Sequence, residues 1–126
     1  MNLKRVLLVE DDSEDHFLFT HALDCIACKV YCKSVYNGQE ALDHLTHIHD
    51  YEIIFLDLNM PGMNGLDCLR LLKQHEKYKH IPVIIFTTSL YQPELYQCLE
   101  LGARRIFHKP HSFPELCNEL HTILLN

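Results

Sequence analysis

Four apolar runs each end on a polar group that can do chemistry. Lys4–Val9 is followed by Glu10-Asp11-Asp12, Ile53–Leu56 by Asp57, Pro82–Phe86 by Thr87-Thr88-Ser89, and Arg105–His108 by Lys109. Carboxylates held a few ångströms apart repel one another, and either a raised pKa or a bound cation relieves them. An all-oxygen, carboxylate-rich donor set suits Mg²⁺, which keeps bound waters and takes phosphate oxygens as ligands. A carboxylate beside such an ion can attack phosphorus and carry the group as an aspartyl-phosphate. The ion neutralises the incoming phosphoryl oxygens. Lys109 adds a second cation and the Thr87 hydroxyl a hydrogen bond. These residue types fit phosphoryl transfer, provided the fold gathers them.

The intervening segments supply such a fold. Lys29–Tyr36 reads as a second, weaker strand, and the four runs above make five strands in all. Five helical stretches alternate with them. The first is capped by Asp12-Ser13 and carries Leu18, Ala22 and Cys25 on one stripe. The others run over Gln39–His49, Leu66–His75, Pro93–Leu101 (stopped by Gly102) and onward from a Ser112 cap. Strict alternation of short apolar strands with helices predicts an α/β fold. Its parallel sheet is five-stranded and doubly wound, in the order 2-1-3-4-5, with five flanking helices. Ligands of such sheets bind beyond the carboxyl ends of the strands. There the first and third strands are neighbours, so Asp11 and Asp57 are expected to face each other.

The 126 residues suffice for one domain, expected to span 1–126 without a separate output domain. The formal net charge of −6 argues against coating nucleic acid or binding an anionic membrane, because both need a basic patch. No run approaches the ~20 apolar residues of a membrane span. The run Val6–Val9 is too short for a secretory signal, so the cytoplasm is the expected compartment.

The segments Val6-Leu7-Leu8-Val9-Glu10-Asp11-Asp12, Leu56–Gly65, Phe86-Thr87-Thr88-Ser89 and His108-Lys109-Pro110 together resemble the receiver domain of two-component response regulators. The likeness is to the stand-alone, CheY-like type and covers the whole chain. CheY itself has the strand order derived above, so that order adds no independent support. The resemblance implies that Asp57 is the phosphoacceptor and that Glu10, Asp11, Asp57 and the backbone carbonyl of Asn59 hold Mg²⁺. Thr87 is then the switch hydroxyl, Lys109 the phosphate-binding lysine, and Lys109-Pro110 a cis peptide. It implies a phospho-histidine donor, either a sensor histidine kinase or a histidine phosphotransfer protein, and a downstream protein target of unknown identity. The output face is then the fourth helix, fifth strand and fifth helix, roughly Tyr91–Asn126. Tyr91, Tyr96 and Arg105 are the expected contacts on it. Such a domain catalyses only its own phosphorylation and dephosphorylation.

Two positions depart from the family pattern. Ile106 stands where many receivers carry a Tyr or Phe, and strand alternation points Phe107 to the opposite face. Coupling is therefore expected through the loop after Thr87. Thr88 is larger than the residue many relatives have there, which predicts altered hydrolysis. Gly62 and Gly65 are expected to permit unusual φ, and Ser89 either to contact attacking water or to cap the next helix.

Other constellations carry less. His44, His47 and His49 lie at a spacing that can share a metal, although an exposed polar helix face explains them as well. Cys25-x-x-Cys28 with Cys32 resembles a redox or zinc half-site lacking its second pair. Three other functions compete with this reading. A flavodoxin-like mononucleotide-binding module would want a Ser/Thr/Gly loop where Glu10-Asp11-Asp12 stand. A phosphorylation-independent docking module would not need the acidic set. An Asp-nucleophile phosphatase would want a second Asp at position 59, which is Asn.

Overall fold

The computed structural model describes residues 3–125. Met1, Asn2 and Asn126, which the expected 1–126 domain and the Tyr91–Asn126 face include, lie outside the described residues. The elements are β1 (Lys4–Val9), α1 (Ser13–Asp24), β2 (Val30–Val35), α2 (Gly38–His47), β3 (Ile53–Leu56), α3 (Gly65–Gln74), β4 (Val83–Thr87), α4 (Gln92–Glu100), β5 (Arg105–His108) and α5 (Phe113–Leu125). The five strands form one parallel sheet in the order β2-β1-β3-β4-β5, as the alternation predicts. No described helix is long and apolar enough to cross a membrane.

Period-two alternation sends each central strand into two cores. Leu7, Val9, Ile54, Leu56, Val83 and Ile85 face α2, α3 and α4. Val6, Leu8, Phe55, Ile84 and Phe86 face α1 and α5. Fully burying each such side chain contributes roughly 1.5–3 kcal/mol. Both sheet faces are therefore covered, and only the strand ends remain for chemistry. Phe107 and Ile106 fall on opposite sides of the sheet, as alternation requires.

Side chains start the helices. Asp12 accepts from the Glu14 N–H at 2.8 Å, Asn37 from the Glu40 N–H at 2.8 Å, and Asn64 from the Asp67 N–H at 2.9 Å. Glu40 reaches back to accept from the Tyr36 N–H at 3.0 Å, one residue before the cap. Ser112 accepts from the Glu115 N–H at 3.3 Å, as expected of a cap.

Three expectations need correction. The inward face of α1 is His16, Phe19, Ala22 and Leu23; Leu18 is half-buried and Cys25 exposed. Phe19 packs edge-on to Phe55 and Phe86, at 5.0 and 5.5 Å between centroids, and this aromatic contact sets the helix rotation. The Lys109–Pro110 bond is trans, the ordinary preference even before proline. Gly62 has the positive φ anticipated, +76°, but Gly65 does not. Gly65 instead allows a close approach: a Cβ there would lie 2.3 Å from the Asp57 carbonyl oxygen and 2.5 Å from Leu58 Cα. Its N–H donates to the Leu58 carbonyl at 3.0 Å, so α3 begins hard against the end of β3.

Gly65→Ala is expected to cost about 3 kcal/mol, because both clashing neighbours are backbone. Gly62→Ala meets open space and only the positive-φ penalty, about 1 kcal/mol. Urea denaturation of the two variants measures the difference; equal midpoints would contradict the close-approach account.

Candidate functional site

The sheet register places the acidic groups. Val9 pairs with Leu56, so the next residues on each strand, Glu10 and Asp57, emerge side by side. The Asp57 N–H donates to the Val9 carbonyl at 3.0 Å and the Glu10 N–H to the Val35 carbonyl at 3.1 Å. These bonds carry the ladders one residue past the strands and hold the site's backbone as rigidly as the sheet. Glu10 is fully buried, Asp57 is buried and Asp11 is exposed at the mouth. One carboxylate oxygen from each of the three lies within 4.8 Å of the others.

Lys109 enters from the far side of β4. Thr87 pairs with His108, and the Lys109 N–H donates to the Thr87 carbonyl at 2.8 Å. Its ammonium donates to Glu10 Oε1 at 2.6 Å and Asp15 Oδ2 at 2.8 Å, and stands 3.6 Å from Asp57 Oδ2. The Phe86 ring lies beneath it at 5.3 Å. The Asn59 N–H approaches Asp57 Oδ1 at 3.4 Å, at the edge of hydrogen-bond range. Thr87 is fully buried, and its Oγ1 accepts from the Ser89 N–H at 3.0 Å. Its own hydroxyl proton remains available to donate. Ser89 neither caps α4 nor reaches Asp57 in the described hydrogen bonds; its Oγ accepts from the Tyr91 N–H at 3.3 Å.

Two neighbours of the site were not anticipated. Asp15, in the first turn of α1, is a direct partner of Lys109. Its place in the first turn of α1, directly after the strand-one acids, is the signal that could have found it. His16 is buried, donates through Nε2 to the Glu10 carbonyl, and packs against Tyr36 with ring centroids 4.3 Å apart.

Charge is not balanced here. Glu10, Asp11, Asp15 and Asp57 surround one ammonium. Burial pushes the Glu10 carboxyl up to about 8; the Lys109 hydrogen bond opposes this and the Asp57 charge adds to it. Burial also raises Asp57, against the pull of Lys109. Burial works to lower Lys109, but hydrogen bonds to Asp15 and Glu10 and the charge of Asp57 outweigh it and hold it above the usual lysine range. The lysine is thus held as its ammonium, while burial shifts both buried carboxyls toward their protonated forms. A divalent cation fits this donor set: its ligand atoms are hard oxygens, and its charge would favour the ionised forms that burial penalises. Among the described residues no other group brings three such ligand atoms together, including His44/His47/His49 and Cys25/Cys28/Cys32. His44 instead shares a 2.6 Å hydrogen bond with the Tyr51 hydroxyl.

The raised Glu10 carboxyl has a measurable consequence. With a folded value of about 8 against 4.5, the native chain holds a proton that the unfolded chain releases. That contribution is complete below about pH 4.5 and is lost as pH rises through about 8. Metal-free protein in EDTA is expected to lose stability across this window, and Glu10→Gln to flatten the loss. Urea midpoints of both proteins against pH test it; a slope unchanged by Glu10→Gln would contradict it.

The family model for the response regulator receiver domain matches residues 6–121. The sensory/regulatory protein RpfC of Xanthomonas campestris is 31% identical over 108 residues, which are 84% of this chain and 14% of that protein. The chain thus spans a small part of that relative's length. The crystal structure of the phosphorylated cyanobacterial phytochrome response regulator RcpA superposes with a TM-score of 0.86 at 26% identity, over 97% of this chain and 91% of that one. The Mn²⁺-bound form of the response regulator Rcp1 gives 0.83 at 28% identity, over 95% and 91%. The matched span runs from β1 into α5 and takes in every strand end that builds the acidic cluster and its lysine, so the chain belongs to the response regulator receiver domain family.

Proposed function

We propose that Asp57 takes a phosphoryl group from the phospho-histidine of a sensor histidine kinase or a histidine phosphotransfer protein, in a Mg²⁺-dependent step. Receiver domains catalyse their own phosphorylation and dephosphorylation at an aspartate, and family membership brings that general activity to this chain. The residue assignment rests on one observation: Glu10, Asp11 and Asp57 converge within 4.8 Å, with the Lys109 ammonium among them. Phosphorylation of the relative RcpA and the metal in Rcp1 agree with this reading.

Asp57 is the best placed of the three to react. Glu10 Oε1 is held by Lys109 at 2.6 Å and Oε2 by the Asp12 N–H at 3.2 Å. Asp11 stands exposed at the rim. Asp57 Oδ2 is 3.6 Å from the ammonium, beyond a hydrogen bond. Asp57 attacks phosphorus, the O–P bond forms as the N–P bond breaks, and the electron pair stays on the imidazole. Glu10, Asp11, Asp57 and the Asn59 carbonyl would hold Mg²⁺, whose charge would neutralise the phosphoryl oxygens. Lys109 gives the same oxygens a point charge, and Thr87 turns its hydroxyl to them.

The signal then leaves through α4, β5 and α5. Tyr91 and Tyr96 are 66% and 62% exposed there, and Arg105 is exposed. The Thr87 oxygen accepts from the Ser89 N–H, so a shift of Thr87 toward a phosphoryl group would be passed to the loop before α4. Ile106 packs on the α2–α4 side and has no ring to swing.

Incubation with acetyl phosphate and Mg²⁺ is expected to add one phosphoryl group by mass. Asp57→Asn and EDTA should each abolish the gain, and Lys109→Ala should slow it by at least tenfold. Labelling that survives Asp57→Asn would overturn the assignment. No labelling at all would favour the phosphorylation-independent docking module, or the mononucleotide module if flavin binds instead. Thr88 is exposed beside Thr87. Thr88→Ala is expected to shorten the aspartyl-phosphate lifetime severalfold without preventing labelling, and an unchanged lifetime would remove Thr88 as a barrier to water.

A further inference from the structure

The helices α1 and α5 cover the same face of the sheet, and both follow strands of one parallel set, so they run parallel. Phe19, Ala22 and Leu23 of one pack with Leu116, Leu120 and Leu124 of the other in a common core. Parallel helices keep register turn by turn. The ring of His21 lies 5.3 Å from that of Phe113. Four residues further along each helix stand Cys25 and Cys117, which the same register sets side by side. Cys25 is the C-cap of α1 and is exposed; Cys117 is half-buried.

The other four cysteines are differently placed. Cys28 lies in the turn leading to β2, and Cys32 within β2 beside Val6. Cys68 and Cys98 are buried in the core on the opposite side of the sheet. Burial pushes the Cys32 and Cys68 thiols up to about 12 and Cys98 to about 11, so their nucleophilic thiolates are scarce. Cys25 therefore combines exposure with a second thiol at the matching turn of the facing helix.

We infer that Cys25 and Cys117 form a reversible disulfide that staples α1 to α5 when the folded chain meets a low-molecular-weight disulfide such as oxidised glutathione. The Cys25 thiolate attacks one glutathione sulfur, that S–S bond breaks, and one glutathione thiolate leaves. Cys117 loses its proton to solvent, attacks the Cys25 sulfur and expels the second glutathione. Two protein thiols thereby lose two electrons and two protons, and the oxidised glutathione becomes two thiols. Burial raises the Cys117 thiol, so the first attack falls to the exposed Cys25, and Cys117 follows within the same molecule. The bond would close most of the chain into one loop, at the end of α1 remote from Asp57.

The test is to equilibrate the reduced, folded chain in glutathione buffers of increasing oxidised fraction, block free thiols, and map the peptides. The expected product is a monomer lighter than the reduced chain by about 2 Da. Its single linkage joins Cys25 to Cys117, dithiothreitol reverses it, and the melting temperature rises by about 5 °C or more. Cys25→Ser and Cys117→Ser should each leave only a glutathione adduct, while Cys28→Ser with Cys32→Ser should still close the link. A linkage from Cys25 to Cys28 or Cys32, glutathionylation that never resolves, or closure that survives Cys25→Ser would each overturn the inference.

Discussion

One ammonium holds together a group of carboxylates that would otherwise drive one another apart. Lys109 meets Glu10, Asp15 and Asp57, each from a different part of the chain, within 3.6 Å. Removing one partner of such a buried arrangement typically costs about 3–5 kcal/mol, because the remaining charges are left uncompensated. The arrangement nevertheless remains acidic in excess, and Glu10 has no exposure through which water could relieve it. That unresolved charge is what makes the site receptive to a divalent cation. A site already neutralised by a second lysine would be more stable and chemically inert.

The fold is what allows this crowding. Side chains at the ends of neighbouring parallel strands are brought together without any loop having to hold them, and the ladder bonds at Asp57 and Glu10 fix both backbones. The hydrophobic layers on either face secure the sheet, and neither needs the polar edge for its own stability. Gly65 contributes from beneath, since a side chain there would push the Asp57–Leu58 backbone out of place. Stability is thus drawn from the body of the sheet, which lets its edge keep an arrangement that opposes folding.

The parts of this design that sequence revealed are those written in local pattern. Strand ends are abrupt changes from apolar to polar residues, and alternation with helices leaves few sheet orders, so Glu10, Asp11, Asp57, Thr87 and Lys109 could be assigned to one edge. What escaped depends on rotation and on distant contacts. The rotation of α1 follows from Phe19 fitting between Phe55 and Phe86, which no spacing within α1 encodes. Spacing alone sets Cys25 on the inward stripe and says nothing of partners for His16 and Asp15. The partner of Asp15 is 94 residues away, and that of Cys25 lies on the last helix. Gly65 was read by the property glycines most often supply, positive φ, when its role is lack of volume.

The same geometry bears on how a phosphoryl group would be sensed. In the resting site the lysine leans toward Glu10 and Asp15, and the Thr87 oxygen is committed to the Ser89 N–H. The lysine is thus engaged elsewhere beforehand, and the Thr87 oxygen is tied to the loop into α4. Added charge at Asp57 would draw on two bonds at once, one anchoring the first turn of α1 and the other the loop into α4. Neither response requires an aromatic ring at position 106, where Ile106 is already packed against the α2–α4 core. Competition for hydrogen bonds at the sheet edge can therefore replace ring rotation as the source of coupling, because each bond surrendered there belongs to a different surface helix.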